Sequence, residues 1–331
     1  MEGGCWVRAG AQALSLLSVP LNVELLTALA EEPKSLIDLR RAVGSPPQTT
    51  MRGRIRALAK LGVLERRRQD AFPGSVDYEL DRAGRDLVAV AETLEAWLAM
   101  SPEGPLSLGH PGAKSAIKAL VDGWSTGIIR ALASRPLSLT ELNRLISDLS
   151  YPSLERRLGA MRLTGQIEAC AGQSRRTPYA VTDWLRRAVG PLVAGASWES
   201  RYMPEQAPPM GRIDVESVFL LALPLLRLPA DLAGSCRLAA EVRRGGERQL
   251  AGAMVEVQEG RIASCVSRLE GSASAWAAGS VPSWLSAMTE GDTDRLEVGG
   301  DCELGLAVVE GLHGVLYGAG QSRSAEEDLV R

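Results

Sequence analysis

The stretch ALSLLSVPLNVELLTALAEEPKSLIDLRRAV, residues 13–43, returns without insertion or deletion 103 positions later as AIKALVDGWSTGIIRALASRPLSLTELNRLI. A chain with this period is built from a duplicated unit, and any fold assigned to it must hold that unit twice. The register persists through Ala28/Ala131, Leu29/Leu132, Pro33/Pro136, Ser35/Ser138, Leu39/Leu142, Arg54/Arg157, Gly62/Gly165 and Glu65/Glu168. At 331 residues there is room for the pair and for a third unit.

Few catalytic side chains are available. His110 and His313 are the only histidines, which leaves little material for Ser/His or Cys/His chemistry, so we expect no enzyme. The five cysteines, at 5, 170, 236, 265 and 302, form no CxxC pair and lie near no histidine. That argues against a disulfide framework and a zinc site, and neither metal nor cofactor is expected. No apolar run reaches the length of a bilayer span and the start lacks an export pattern, so the expected setting is the cytoplasm, without a membrane partner.

Within each copy a helical pattern is followed by a second start signal, Ser35-Leu-Ile-Asp38 and Ser138-Leu-Thr-Glu141. There a serine caps the helix and the acid three residues on reaches back. The next helix buries Met51, Ile55 and Leu58 in one copy and Leu154, Leu158 and Met161 in the other, one stripe at helical spacing. Gly62 and Gly165 end it as residues free to take positive φ. Two β-like runs follow, Val63 to Arg66 then Val76 to Leu80, and Gln166 to Cys170 then Tyr179 to Thr182. Helix, helix, tight turn, helix and hairpin is the order of a winged helix, whose third helix enters the major groove.

The stretches DGWSTGIIRAL, LSLTELNRLI and SYPSLERRLGAM, with VDYELDRAGRDLVAVAETLEAWL in the first copy, resemble the HxlR family of bacterial winged-helix transcription regulators. The resemblance covers about residues 11 to 100 and 113 to 199. Members of that family dimerise through terminal helices, so the fusion is similar to a dimer written into one chain; a homodimer of the fused chain is a further assembly it allows. Leu21 stands where the second copy has Trp124. Cys5 is displaced from the family's redox-sensing cysteine, which aligns nearer Arg8, and we read it as an incidental thiol.

Opposite the stripe, the first copy presents Gln48, Thr49, Thr50, Arg52, Gly53, Arg54, Arg56 and Lys60, and its hairpin opens with Arg66, Arg67 and Arg68. Seven cations against Glu65 alone suit several phosphates of double-stranded DNA. In the second copy the candidate contacts are Ser153, Arg156, Arg157, Arg175 and Arg176. There Gly159 replaces Arg56, Leu163 replaces Lys60 and Glu155 replaces Arg52, so we expect weaker backbone contacts or a packing role.

The charge divides as −1 over residues 1–105, +6 over 106–203 and −8 over 204–331, and we take these spans as two winged-helix domains and a third, acidic unit. After the proline-rich RYMPEQAPPMGRI, an apolar helix precedes three strand-like runs, RLAAEVRR, QLAGAMVEVQ and RIASCVSRL. SASAWAAGSVPSWLSAMTEG reads as helix, turn and helix, and DRLEVGGDCELGLAVVEGLHGVLYG as strand, glycine turn and helix. The polar tail QSRSAEEDLVR reads as unstructured. SVPSWLSAMTEGD and VGGDCELGLAVVEGL are similar to sterol-carrier-protein-like domains, which implies a small-molecule sensor with an apolar tunnel. The expected fold class is mainly α with an α+β C-terminal part: two tandem winged-helix domains followed by a small α+β ligand-binding-like domain.

The expected effector is a hydrophobic small molecule, placed either in the third unit, at Trp276, Trp284, Met288 and Tyr317, or between the repeats near Trp124 and Trp198. For any one of these, a place in an ordinary core is the plainer reading. The leading functional expectation is a transcription regulator whose operator binding responds to that molecule. A binding or sequestering protein with winged helices as pocket walls is the alternative, and an enzyme acting on DNA bases ranks last.

Overall fold

The computed structural model describes residues 8–68, 76–170, 177–244 and 246–328, without the side chains of 244 and 319–328. The first unit runs α1 (Ala11–Leu17), α2 (Pro20–Glu31), β1 (Lys34–Ser35), α3 (Leu36–Ala42), α4 (Gln48–Lys60), β2 (Leu64–Arg68), β3 (Val76–Leu80) and α5 (Arg82–Ala99). The second runs α6 (Pro111–Ser125), α7 (Ile128–Ser134), β4 (Leu137–Ser138), α8 (Leu139–Leu145), α9 (Tyr151–Leu163), β5 (Ile167–Ala169), β6 (Pro178–Val181), α10 (Asp183–Arg187) and α11 (Val189–Tyr202). Sheet order is β1-β3-β2 in one and β4-β6-β5 in the other, so the same short strand closes both hairpins.

Local chemistry accounts for the shared elements. At α8 the Ser138 hydroxyl accepts from the Glu141 N–H (3.4 Å) while the Glu141 carboxylate accepts from the Ser138 N–H (2.9 Å), a complete capping box. At α3 only the first half forms: Asp38 N–H donates to Ser35 Oγ (3.2 Å), and the Asp38 carboxylate accepts from the serine hydroxyl instead. Gly62 and Gly165, at φ 70° and 74°, turn the chain from helix to hairpin.

The copies lose register at the hairpin. Lys34 and Ser35 face Tyr78 and Asp77, whereas Leu137 and Ser138 face Tyr179 and Pro178, so the second hairpin is two residues shorter. With that correction Trp97 of α5 and Trp198 of α11 are equivalent, as are Ala83 and Trp184. The hydrogen bonds between the units are reciprocal. Trp97 Nε1 donates to the Trp184 carbonyl (2.9 Å) and Trp198 Nε1 to the Ala83 carbonyl (2.8 Å). This is the pattern of an isologous contact, achieved inside one chain. Trp184 adds what Ala83 lacks: its ring stacks on Trp97 (4.4 Å between centroids) and its Nε1 donates to the Trp97 carbonyl.

The third unit comprises α12 (Arg212–Ala222), a 3-10 turn (Leu223–Leu225), β7 (Gly234–Arg244), β8 (Glu247–Gln258), β9 (Arg261–Val266), β10 (Ala275–Ser280), α13 (Val281–Glu290), β11 (Glu297–Gly300) and α14 (Cys302–Asp328). Its five-stranded sheet has the order β11-β10-β7-β8-β9, with β10 parallel to β7 and the other pairs antiparallel. Leu238, Ala240, Ala253, Val255, Ala275 and Ala277 are buried where α12, α13 and α14 pack on the sheet. The whole is α+β, with helices predominating and this sheet confined to the C-terminal part.

Two readings of the sequence are corrected here. The run SASAWAAGS is not a helix. Its small residues carry helix propensity, but Ala275 and Ala277 point inward while Trp276 points out, a period of two that inserts β10 between β7 and β11. α14 also continues to Asp328, through most of the tail read as unstructured.

Buried acids tie the third unit and the N-terminus to the repeats. Glu216 of α12 accepts from Arg130 Nε of α7 (2.9 Å) and from Arg212 Nε (2.6 Å). Glu199 of α11 accepts the N–H groups of Gly10 (2.7 Å) and Ala13 (2.8 Å) at the start of α1. Arg201 bridges Asp86 of α5 and Glu290 of α13. One continuous apolar core extends from Ala9 to Leu312. Among the described residues no single helix is long and apolar enough to cross a membrane.

Candidate nucleic-acid interface

α4 buries Met51, Ile55 and Leu58 and leaves its remaining faces to solvent. The helix is set on the unit by a turn in which Gly44 and Ser45 both take positive φ (75° and 57°) and Arg40 Nε donates to the Pro46 carbonyl (2.9 Å). Arg40 is a positioning residue that sequence reasoning missed; an arginine closing a helix before Gly-Ser-Pro-Pro was the available signal. No side chain caps α4, so its first N–H groups stay open beside the exposed Gln48, Thr49 and Thr50. Such an N-terminus attracts anions.

Arg52, Arg54, Arg56 and Lys60 are exposed on α4, and Arg66, Arg67 and Arg68 on β2. Arg67 pairs with Glu79 across the hairpin (3.2 Å). The other six cations have no ion pair with a described residue. Glu65 faces Glu79 directly. A hydrogen bond between the two carboxyl groups, burial and repulsion raise the Glu65 pKa above its usual value. Arg66 and Arg68 project from the opposite face of β2 to Glu65 and Arg67, away from the acids.

The equivalent surface of the second unit is different. α9 buries Leu154, Leu158 and Met161 and turns Pro152, Arg156, Gly159 and Leu163 outward, with Leu163 83% exposed. Ser153 is half-buried and bonded to Ser150 (3.0 Å). Arg157 is half-buried too, and its shielded Nη1 has no hydrogen-bond partner, so it is poorly placed to reach a phosphate. β5 keeps Glu168 where β2 has Glu65, but Ala169 and the following Cys170 stand where β2 carries Arg66 and Arg67. Arg175 and Arg176, like Cys5, lie outside the described residues.

The six candidate ligand residues do not converge. Trp124 is interior, with Nε1 donating to the Ala9 carbonyl (3.2 Å), and Trp198 is spent on the contact between units. Trp276 lies on the open face of the sheet against Gly299. Tyr317 donates to the Gly190 carbonyl (2.9 Å), and burial raises its pKa. Only Trp284 and Met288 meet, in an apolar crevice completed by Val193 of α11, Met210, Val215, Val218 and Phe219. Its free volume is about 20 Å³, room for about one water. Among the described residues no cluster of three or more His, Cys, Asp or Glu side chains is placed to hold a metal.

An exposed, cationic helix with an open start, followed by a cationic hairpin, is an arrangement of the helix-turn-helix class. Residues 21–103 match the sequence profile of the HxlR-like helix-turn-helix family, and α4 with its hairpin lies wholly inside the match. That stretch is therefore similar to a DNA-binding transcription regulator, a regulator rather than an enzyme. No curated protein sequence matches the chain.

Proposed function

We propose that this chain is a transcription regulator built from two tandem winged-helix domains, whose operator binding is modulated by a hydrophobic small molecule. The observation that carries it is the group of six exposed cations on α4 and β2 that form no ion pair with a described residue, inside the HxlR-like stretch. The first unit reads the DNA; the second adds backbone contacts through Arg156. The sheet backed by helices supports a sterol-carrier-protein-like third domain. Its effector opens the crevice at Trp284 and Met288, where Val193 belongs to the helix that also packs on α5. A ligand there shifts DNA affinity only by binding two arrangements of α11 unequally.

The test is a salt titration of binding to duplex DNA by the full chain. With about six phosphates neutralised, log K should fall with log salt at a slope of roughly −5. Arg56→Ala should lower both affinity and slope and Arg157→Ala neither; equal losses would end the asymmetry. Adding an apolar fluorescent probe that brightens in the crevice should weaken the complex, and an affinity unchanged at saturating probe removes the effector half.

A second reading, a sequestering protein with DNA binding lost, draws on the exposed Leu163 and the half-buried Arg157 of the second unit. It expects no duplex binding even at low salt.

A further inference from the structure

Glycine weakens a helix interior relative to alanine, so each one there calls for a reason. Most helical glycines of this chain have one in the packing. A Cβ at Gly84 would lie 2.2 Å from the Val63 carbonyl oxygen, one at Gly195 3.0 Å from the Gly10 carbonyl oxygen, and one at Gly305 2.7 Å from Val298. Gly53 has none: a Cβ there meets nothing within 4 Å, and its φ is not positive. It sits in the middle of α4, exposed, in the outward row Thr49, Gly53, Arg56, Lys60. The fold does not ask for glycine at the centre of the cationic surface.

Among the described residues three other helical glycines also face open space. Gly314 and Gly318 lie on α14, and Gly159 lies on α9 between Arg156 and Arg162, with Glu155 and Leu163 one turn to either side where Gly53 has Thr49 and Ala57. Among the described helical glycines, only Gly53 combines an unfilled Cβ position and flanking cations that pair with no described residue with a threonine hydroxyl one turn away. A missing side chain there lets the helix axis move closer to whatever the face covers, by about the thickness of a methyl group.

We propose that Gly53 is the point of closest approach between α4 and double-stranded DNA: a base-pair edge in the major groove seats against its bare Cα, with Thr49 and Arg56 reaching out on either side. This rests on the DNA-binding reading above. Gly53 then sets the depth of the helix in the groove, and through it which bases Thr49 and Arg56 can touch.

The experiment compares thermal stability with DNA affinity in the full chain. The probes are a duplex enriched from a random-sequence pool by the wild-type protein, and the unselected pool itself. Gly53→Ala and Gly53→Leu should raise Tm, because both side chains favour helix and neither meets an obstacle. The same changes should weaken binding to the enriched duplex in order of size, by about tenfold or more for leucine. The salt slope should stay unchanged, since the phosphate contacts remain. Gly159→Ala should raise Tm and leave affinity alone. If Gly53→Leu perturbs folding, Gly53→Ala decides: higher Tm with undiminished affinity overturns the proposal. If Arg56→Ala weakens binding while both Gly53 variants bind like wild type, the DNA reading stands and this inference falls. A wild-type protein that enriches no duplex and binds none removes both.

Discussion

Glu65 is the one acid among seven cations between residues 52 and 68, and its pKa is raised above the usual glutamate value. Its carboxyl group shares a hydrogen bond with Glu79 across the hairpin, which favours the protonated form. As pH falls from neutral, Glu65 takes up its proton earlier than an ordinary glutamate, and the hairpin that carries Arg66 and Arg68 on its other face loses a negative charge. Affinity for duplex DNA should therefore rise as pH drops through that raised pKa. Glu65→Gln should bind more tightly at neutral pH and show a flatter profile. Binding measured by fluorescence anisotropy across pH checks this; parallel profiles for the two proteins would show that the pair does not report on DNA.

The two capping signals make a matched experiment at the level of elements. The capping box at α8 is complete and the one at α3 is half formed, so Ser138→Ala should cost about 1 kcal/mol or more and Ser35→Ala less, read by chemical denaturation. Hydrogen bonds from Ser138 and Arg135 hold the Glu141 carboxyl down at about 2. Its stabilising effect is present above the usual glutamate range and lost as pH falls toward about 2, so the gap between wild type and Ser138→Ala should narrow there to what the bond from the Glu141 N–H to the Ser138 hydroxyl supplies. These features were legible in the sequence because caps, stripes and glycine stops act over four residues or fewer. β10 was not, since an Ala/Ser-rich run becomes a strand only when β7 and β11 offer their edges. The candidate site divides the same way. The outward row of α4 follows from helical spacing, whereas the burial of Arg157 and the scatter of the six candidate ligand residues depend on packing from elsewhere in the chain.

Across the whole molecule, acidic groups are buried at the seams. Burial raises the pKa of both Glu199, which holds the start of α1, and Asp214, which faces Arg8 at 3.5 Å. A raised folded-state pKa stabilises fully below the ordinary carboxylate range and is lost as pH rises through the folded value. Stability should thus decline from mildly acidic toward neutral pH. Glu199→Gln should flatten that decline while lowering the starting point, because one of the two N–H groups loses its acceptor. An identical pH slope in the variant would assign the decline to other groups.

The reciprocal tryptophan bonds between α5 and α11 have an evolutionary consequence. In a symmetric pair of identical subunits every substitution arrives twice, and a side chain that helps on one side of the axis must be tolerated on the other. A covalent pair is free of that constraint. Trp184 stands opposite Trp97 while its counterpart is Ala83, so a stacked indole pair braces one side of the axis only. The same freedom lets one helix keep Arg56 and Lys60 while the other carries Gly159 and Leu163 over an intact core.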